Sequence, residues 1–181
     1  MTQLREWIAE NIGYRFTGCA YNKTHDHLFT SLEPLIPARF FRREIADLGC
    51  GDGGNTLRIK KIFRARMIRG YERNEYLIAR ARKKGIVVKK MDLQASLPYG
   101  EMATFTFSLH HLPNKEEVLK KVMHHFKYLF LIEPTLDLYH SLFDACPPLK
   151  RTQWIALFNT TLGRYDLHII KNNVVVFYSR D

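Results

Sequence analysis

The chain has 181 residues, of which 46% are hydrophobic and 25% are charged, and its formal net charge is +10. This length suits about one domain with a sizeable core, and the composition excludes a disordered chain. No apolar run reaches the roughly eighteen residues of a membrane span, and no apolar leader with a cleavage site opens the sequence. We therefore expect a single soluble, cytoplasmic domain over residues 1–181, with no membrane partner.

The positive charge is concentrated in residues 58–90, which hold 13 lysines or arginines against two acids, Glu72 and Glu75. The rest of the chain carries 15 basic and 16 acidic residues, so it is nearly neutral. A basic stripe of this kind can attract an anionic polymer. It can equally be the solvated face of two helices, because lysine and arginine are good helix formers.

Short apolar runs alternate with helical stretches along most of the chain. Residues 3–14 predict an N-terminal helix. The predicted strands that follow are 44–49, 67–72, 86–91, 102–109 and 128–133, and the predicted helices between them are 55–63, 75–84 and 114–126. Strands that are separated by helices of about ten residues form right-handed βαβ units, so these strands predict a parallel sheet.

Two β-rich runs, 164–171 and 174–179, lie near the end of the chain, with Asn172 and Asn173 between them. Asparagine tolerates the positive φ that a two-residue turn requires, so these runs predict an antiparallel hairpin. The predicted fold is α/β, with a Rossmann-like, mostly parallel seven-stranded sheet, helices on both faces and a C-terminal antiparallel hairpin.

A glycine-rich segment, DLGCGDGG at residues 47–54, joins the first predicted strand to the first predicted helix. Glycines there let the backbone turn sharply and approach a ligand closely at a helix N-terminus. Asp47 can accept hydrogen bonds from a cationic ligand or can order the loop. The glycines also satisfy the GxGxxG pattern of nicotinamide-dependent dehydrogenases, although Asp47 and the terminal hairpin argue against that class.

Two further acidic residues end the second and third predicted strands. Glu72 lies 18 residues beyond Gly54, where a carboxylate can bind both hydroxyls of a ribose. Asp92 follows the third strand, where it is placed to meet the exocyclic amine of an adenine. The spacing therefore indicates a nucleoside-containing cofactor.

These motifs resemble those of the class I S-adenosylmethionine-dependent methyltransferase family, whose first motif has the form D-x-G-x-G-x-G. That motif matches residues 47–53, and the family's ribose-binding and adenine-binding acids fall on Glu72 and Asp92. The family's fourth strand commonly ends in a segment like LHHL, which falls on residues 109–112. The resemblance covers roughly residues 44–134 and, loosely, the terminal hairpin.

The resemblance implies S-adenosylmethionine as the cofactor and a division of the domain into three parts. Residues 1–40 are expected to form an N-terminal helix and lid segment, 41–134 the cofactor-binding core, and 135–181 a substrate-side insert and the terminal hairpin. The residues expected to bind the cofactor are Asp47, Gly49, Cys50, Gly51, Gly53, Glu72, Arg73, Asp92, Leu93, Phe107 and Ser108.

Methyl transfer from a sulfonium is an in-line displacement by an N, O, S or C nucleophile, and it needs a base only if the acceptor must lose a proton. The candidates for catalysis are His110, His111 and Glu133, and the candidates for substrate contact are Tyr21, His110 and His111. We expect no metal site, because the histidine pairs at 25/27 and 124/125 have no third ligand at zinc spacing.

A small-molecule acceptor suits the compact chain and the LHHL segment. The end of the fourth strand lacks the Asn-Pro-Pro-Tyr or Asp-Pro-Pro-Tyr motif of relatives that methylate exocyclic amines of adenine or cytosine. One alternative is a methyltransferase of ribosomal or transfer RNA that uses the basic segment 58–90. Another alternative is a non-catalytic cofactor-binding scaffold or RNA-binding module.

Overall fold

The structure is a computed structural model that describes residues 25–137 and 146–180. The helix predicted for residues 3–14 and the candidate Tyr21 lie outside these described residues. Within the described part of the chain, no helix is long and apolar enough to cross a membrane.

One sheet of seven strands forms the centre of the described structure, in the order β3-β2-β1-β4-β5-β7-β6. The strands are β1 Glu44–Leu48, β2 Met67–Glu72, β3 Val88–Lys90, β4 Gly100–Thr106, β5 Phe126–Pro134, β6 Asp166–Ile170 and β7 Asn173–Ser179. Strands β1 to β5 are parallel, and β7 is antiparallel to both β5 and β6. The predicted fold class is therefore confirmed.

Helices cover both faces of the sheet. They are α1 Gly54–Ile62, α2 Glu75–Lys83, α3 Lys115–His125 and α4 Arg151–Thr161, and residues 25–32 are also helical. Apolar side chains of residues 25–32 and α1 pack on one face, and α2 packs on the same face near β3. Helices α3 and α4 pack on the opposite face, against β1, β4, β5 and β7.

Helix α4 lies in the substrate-side insert, where the sequence analysis assigned no helix or strand. Trp154 and Phe158 of this helix are 0% exposed and stack on each other, with ring centroids 5.5 Å apart. The indole Nε1 of Trp154 donates to the carbonyl of Pro134, 2.9 Å away at the end of β5. Spacing of four residues places both rings on one side of the helix, so they anchor the insert to the sheet.

Most element boundaries differ from the sequence prediction by one to three residues, and two of these differences have a cause in the structure. Strand β4 ends at Thr106, three residues early, because Phe107 adopts a φ of +58° and a short 3-10 turn, Leu109–His111, follows. The hairpin turn lies one residue earlier than expected, since Ile170 pairs with Asn173. Two hydrogen bonds from Thr135 to the carbonyl of Asn172 hold the turn in this register.

We predict that Trp154→Ala lowers the free energy of unfolding by about 3–5 kcal/mol, because it leaves a cavity at a fully buried position and removes the indole hydrogen bond to the Pro134 carbonyl. Urea denaturation measures this change. Thr152→Ala, at an exposed position of the same helix, is the control and should change the free energy by less than about 0.5 kcal/mol. Equal, small effects of the two substitutions would show that α4 is not anchored by Trp154.

Candidate functional site

The carboxyl ends of β1, β2, β3 and β4 meet at one edge of the sheet. The chain passes from β1 to β2 on one side and from β4 to β5 on the other, while β1 and β4 are neighbours. Such a point of reversal opens a crevice above the strands, where open α/β sheets bind their ligands. The predicted site residues that the structure describes lie at the ends of β1, β2 and β5 or on the loops at this edge.

The glycine loop, residues 49–53, needs glycine for two different reasons. At Gly49, where φ is +72°, an added Cβ would lie 2.6 Å from the Cβ of Ser108, so a side chain would collide with the loop after β4. At Gly51, where φ is +54°, an added Cβ would meet nothing within 4 Å. The first glycine therefore permits close packing of two loops, and the second leaves open space beside the backbone.

Asp47 is buried directly beneath this loop. One carboxylate oxygen accepts a hydrogen bond from the hydroxyl of Thr56 at 2.6 Å, and the other accepts one from Thr104 at 2.7 Å. Burial raises the pKa of Asp47, and the two hydroxyls partly oppose that rise. Asp47 thus joins β1 to α1 and to β4. Sequence reasoning missed the two threonines, because neither belongs to a motif.

Glu72 lies at the end of β2 with its carboxylate at the foot of the glycine loop. One oxygen accepts a hydrogen bond from the backbone N–H of Gly51 at 3.0 Å. The other accepts from the backbone N–H groups of Arg73 and Asn74, at 2.8 and 2.9 Å. The carboxylate therefore connects the loop after β1 with the loop after β2, at the edge where the sequence placed it.

The remaining predicted residues on this side of the crevice differ in exposure. Asp92 is exposed, and its carboxylate accepts a hydrogen bond from the backbone of Gln94 at 2.9 Å. The side chain of Leu93 is buried in the core between the sheet and α3. Cys50 packs its thiol onto Gly70, and burial raises the pKa of Cys50 far above its usual value, so the thiol stays protonated.

Glu133 organises the loop after β4 from the end of β5, where it is 0% exposed. One carboxylate oxygen accepts hydrogen bonds from the backbone N–H groups of Ser108 and Leu109, at 2.9 and 2.7 Å. The other lies 3.3 Å from the backbone nitrogen of His110 and 2.6 Å from its Nδ1. An ionised carboxylate can only accept, so Nδ1 of His110 carries a proton in this contact.

The two histidines of the LHHL segment have different surroundings. His110 is buried, whereas His111 is exposed, and their ring centroids are 3.9 Å apart. The hydroxyl of Ser108 donates to the carbonyl of Leu48 at 2.7 Å, which holds this loop against the end of β1. The structure therefore brings His110, Glu133 and the glycine loop together at the crevice.

An aromatic pair borders the same edge. Phe107 has a positive φ that is uncommon for a bulky residue, and its ring stacks on that of His25, with centroids 4.6 Å apart. His25 Nδ1 lies 3.1 Å from Oδ1 of Asn55, and Asp26 forms an ion pair with Arg58 at 2.7 Å. These contacts seat the helical residues 25–32 beside α1. No local sequence signal singled out His25 for this role.

The comparison of sequences identifies a family. Residues 21–165 match the methyltransferase domain family. No curated protein gives a significant match to the chain.

The fold is similar to those of several solved methyltransferases. An S-adenosylmethionine-dependent methyltransferase from Thermotoga maritima has a TM-score of 0.75 and 15% identity, with 98% of this chain and 100% of that chain covered. Human N-acetylserotonin methyltransferase in complex with SAM gives 0.70 and 16%, with 95% and 59% covered. Magnesium protoporphyrin IX methyltransferase from Synechocystis with bound SAH gives 0.65 and 12%, with 94% and 88% covered. At these identities the likeness shows the fold.

We predict that His25 makes stability depend on pH. Burial, reinforced by the charge of Arg58, lowers the pKa of His25 below 6.5 and outweighs the hydrogen bond to Asn55. The unfolded chain then binds a proton more readily than the folded chain, so stability falls as the pH drops below about 6.5 and is constant above it.

The variant His25→Phe keeps a ring against Phe107 and removes the titration. The free energy of unfolding of the wild type, minus that of the variant, should decrease from pH 7.5 to pH 5 by at most about 1.4 kcal/mol per pH unit. Urea denaturation at several pH values measures it. A difference that does not change with pH would contradict the prediction.

Proposed function

This chain belongs to the S-adenosylmethionine-dependent methyltransferase family, and we propose that it methylates a small-molecule acceptor at the carboxyl edge of β4. The observation that carries the proposal is a buried carboxylate, Glu133, that orients His110 beside the crevice. When bound, S-adenosylmethionine supplies a methyl group that its sulfonium activates. The protein must therefore bind and orient the reactants and take up any proton that the acceptor loses.

The residues around the glycine loop fit this cofactor. The backbone at Gly51 is open to close approach, because an added Cβ there would meet nothing within 4 Å. We assign the ribose hydroxyls to Glu72, at the end of β2, and the adenine amine to the exposed Asp92, beyond β3. The other residues that we place around the cofactor, by main chain or by packing, are Asp47, Gly49, Cys50, Gly53, Arg73, Leu93, Phe107 and Ser108.

His110 is the residue that we assign as the base. Its Nδ1 is held by Glu133 at 2.6 Å, so Nε2 is the nitrogen that accepts the acceptor's proton as the acceptor attacks the methyl group. Glu133 is a positioning residue, because it is fully buried and acts through the imidazole. The acceptor group is then an O–H or N–H whose proton leaves on methylation. We assign the exposed His111 to contact with the acceptor.

Two observations favour a small acceptor over RNA. The structural neighbours include a candidate histamine methyltransferase, an N-acetylserotonin methyltransferase and a magnesium protoporphyrin IX methyltransferase. Several cations of the basic segment also serve the fold. The ion pairs that they form include Arg58–Asp26, Arg66–Glu101, Arg66–Glu44, Arg80–Asp52, Lys84–Asp52 and Lys90–Glu75. These pairs support a structural role for much of the segment's charge.

We predict that the protein binds S-adenosylmethionine and S-adenosylhomocysteine, but not NAD, in calorimetric titrations. Glu72→Gln should weaken binding of both ligands by about 10- to 100-fold, because a charged acceptor of two hydrogen bonds is lost. Glu75→Gln, at an exposed position three residues away, is the control and should leave the affinity unchanged. Binding of NAD alone would overturn the cofactor assignment.

We predict that methyl transfer depends on His110. With radiolabelled S-adenosylmethionine, label should enter members of a panel of amines and phenols rather than RNA. For the acceptor so found, His110→Gln should lower kcat by about 10²- to 10⁴-fold and leave cofactor affinity unchanged. The defect should shrink as rising pH deprotonates the acceptor.

His124→Gln, on the exposed last turn of α3, is the matched control and should retain full activity. A normal kcat for His110→Gln would remove His110 from the mechanism. Transfer of label to RNA alone would replace the small-molecule acceptor with RNA.

A further inference from the structure

Asp52, in the glycine loop, forms ion pairs with two cations. Arg80 lies on α2, and Lys84 is the residue that follows α2. We propose that Asp52, Lys84 and Arg80 form an ionic clamp that holds the glycine loop in the conformation that receives the cofactor. The inference rests on the proposed cofactor site at this loop. It makes Asp52 and Lys84 positioning residues for cofactor binding.

The clamp uses both oxygens of the Asp52 carboxylate. Oδ2 lies 2.7 Å from Nζ of Lys84 and 3.3 Å from Nη2 of Arg80. Oδ1 accepts a hydrogen bond from the backbone N–H of Gly54, the first residue of α1, at 3.1 Å. One side chain thus ties the loop to the start of α1 and to α2 at the same time.

Close packing supports the same contact. An added Cβ at Gly53 would lie 2.3 Å from Cδ1 of Ile86 and 3.1 Å from Cβ of Ala81. The loop therefore packs in close contact with Ala81 of α2 and with Ile86, which lies between α2 and β3. On the other side of Gly51, Glu72 accepts the Gly51 N–H. The loop is therefore held on both flanks of Gly51, the glycine of this loop that has open space beside it.

A glycine-rich loop loses much conformational entropy when it is ordered. If that ordering is already present in the free protein, cofactor binding does not have to supply it, and the affinity is higher. The clamp therefore acts on the dissociation constant of the cofactor and not on the chemical step.

Electrostatics at Asp52 favour the ionised form. Partial burial alone would raise its pKa, but the hydrogen bonds from Lys84 and from the Gly54 N–H, together with the charges of Lys84 and Arg80, lower the pKa below its usual value. The three side chains are 29% to 36% exposed, so salt in the medium screens the clamp in part.

Methionine substitution of Lys84 tests the clamp, and Lys83→Met is the matched control. Lys83 is the last residue of α2, directly before Lys84, and it is exposed and has the same charge. We expect Lys84→Met and Asp52→Asn each to raise the dissociation constant of S-adenosylmethionine by about two- to fivefold, with kcat at saturating cofactor unchanged. The double variant should bind the cofactor no more weakly than Asp52→Asn alone, because Asp52→Asn already removes the ion pair with Lys84.

Two further readouts separate positioning from a loss of stability. Amide hydrogen exchange over residues 49–54, measured without ligand, should be faster in Lys84→Met than in Lys83→Met, while the thermal midpoints stay equal. The difference in affinity between wild type and Lys84→Met should shrink between 0.05 and about 0.5 M salt.

Equal affinities and equal loop exchange for Lys84→Met and Lys83→Met would overturn the clamp, as would a fall in kcat at unchanged affinity. Failure of the wild type itself to bind S-adenosylmethionine would overturn the cofactor site on which the inference rests. The exchange experiment needs no ligand, so the two failures are distinguishable.

Discussion

The buried carboxylate of Asp47 is the contact on which the geometry of the site depends. Its two oxygens accept hydrogen bonds from Thr56 of α1 and Thr104 of β4, so one side chain joins three elements at the point where the sheet order reverses. An ionisable group without partners would be costly at this depth, and the two hydroxyls offset that cost. Both partners are uncharged hydroxyl groups, so among the described residues hydrogen bonds hold the Asp47 carboxylate in place and no ion pair is buried with it.

A second buried carboxylate, Glu133, does for the loop after β4 what Asp47 does for the loop after β1. Its acceptor capacity is taken by three backbone N–H groups and by the ring of His110. The two carboxylates therefore order opposite walls of one crevice, and the hydroxyl of Ser108 joins the walls by donating to the carbonyl of Leu48. The proposed cofactor binding and proton uptake therefore both depend on loops whose positions the sheet determines.

The charge of the basic segment also acquires a meaning from the structure. Read as a sequence, residues 58–90 resemble either an attractive surface for a polyanion or a solvated helical face. In the structure, Arg80 and Lys84 are directed at Asp52 of the glycine loop, and Arg58 holds the helical residues 25–32. Neutralising Arg80 or Lys84 therefore changes the contacts of the glycine loop as well as the surface potential. A test of polyanion binding has to neutralise cations of the segment that do not contact this loop.

Local patterns in the sequence determined the α/β fold, the family, the glycine loop and the acids at the ends of β2 and β3, because periodicity, positive φ and strand-end spacing are properties of short segments. The end of strand β4 and the hairpin turn lie one to three residues earlier than predicted, because the positive φ of Phe107 and the hydrogen bonds from Thr135 set their limits. Contacts between distant segments were decided only by the tertiary structure. Thr104 lies 57 residues from Asp47, and Glu133 lies 23 residues from His110. No local pattern encodes such pairs, because they form only when parallel strands bring their carboxyl ends to one edge.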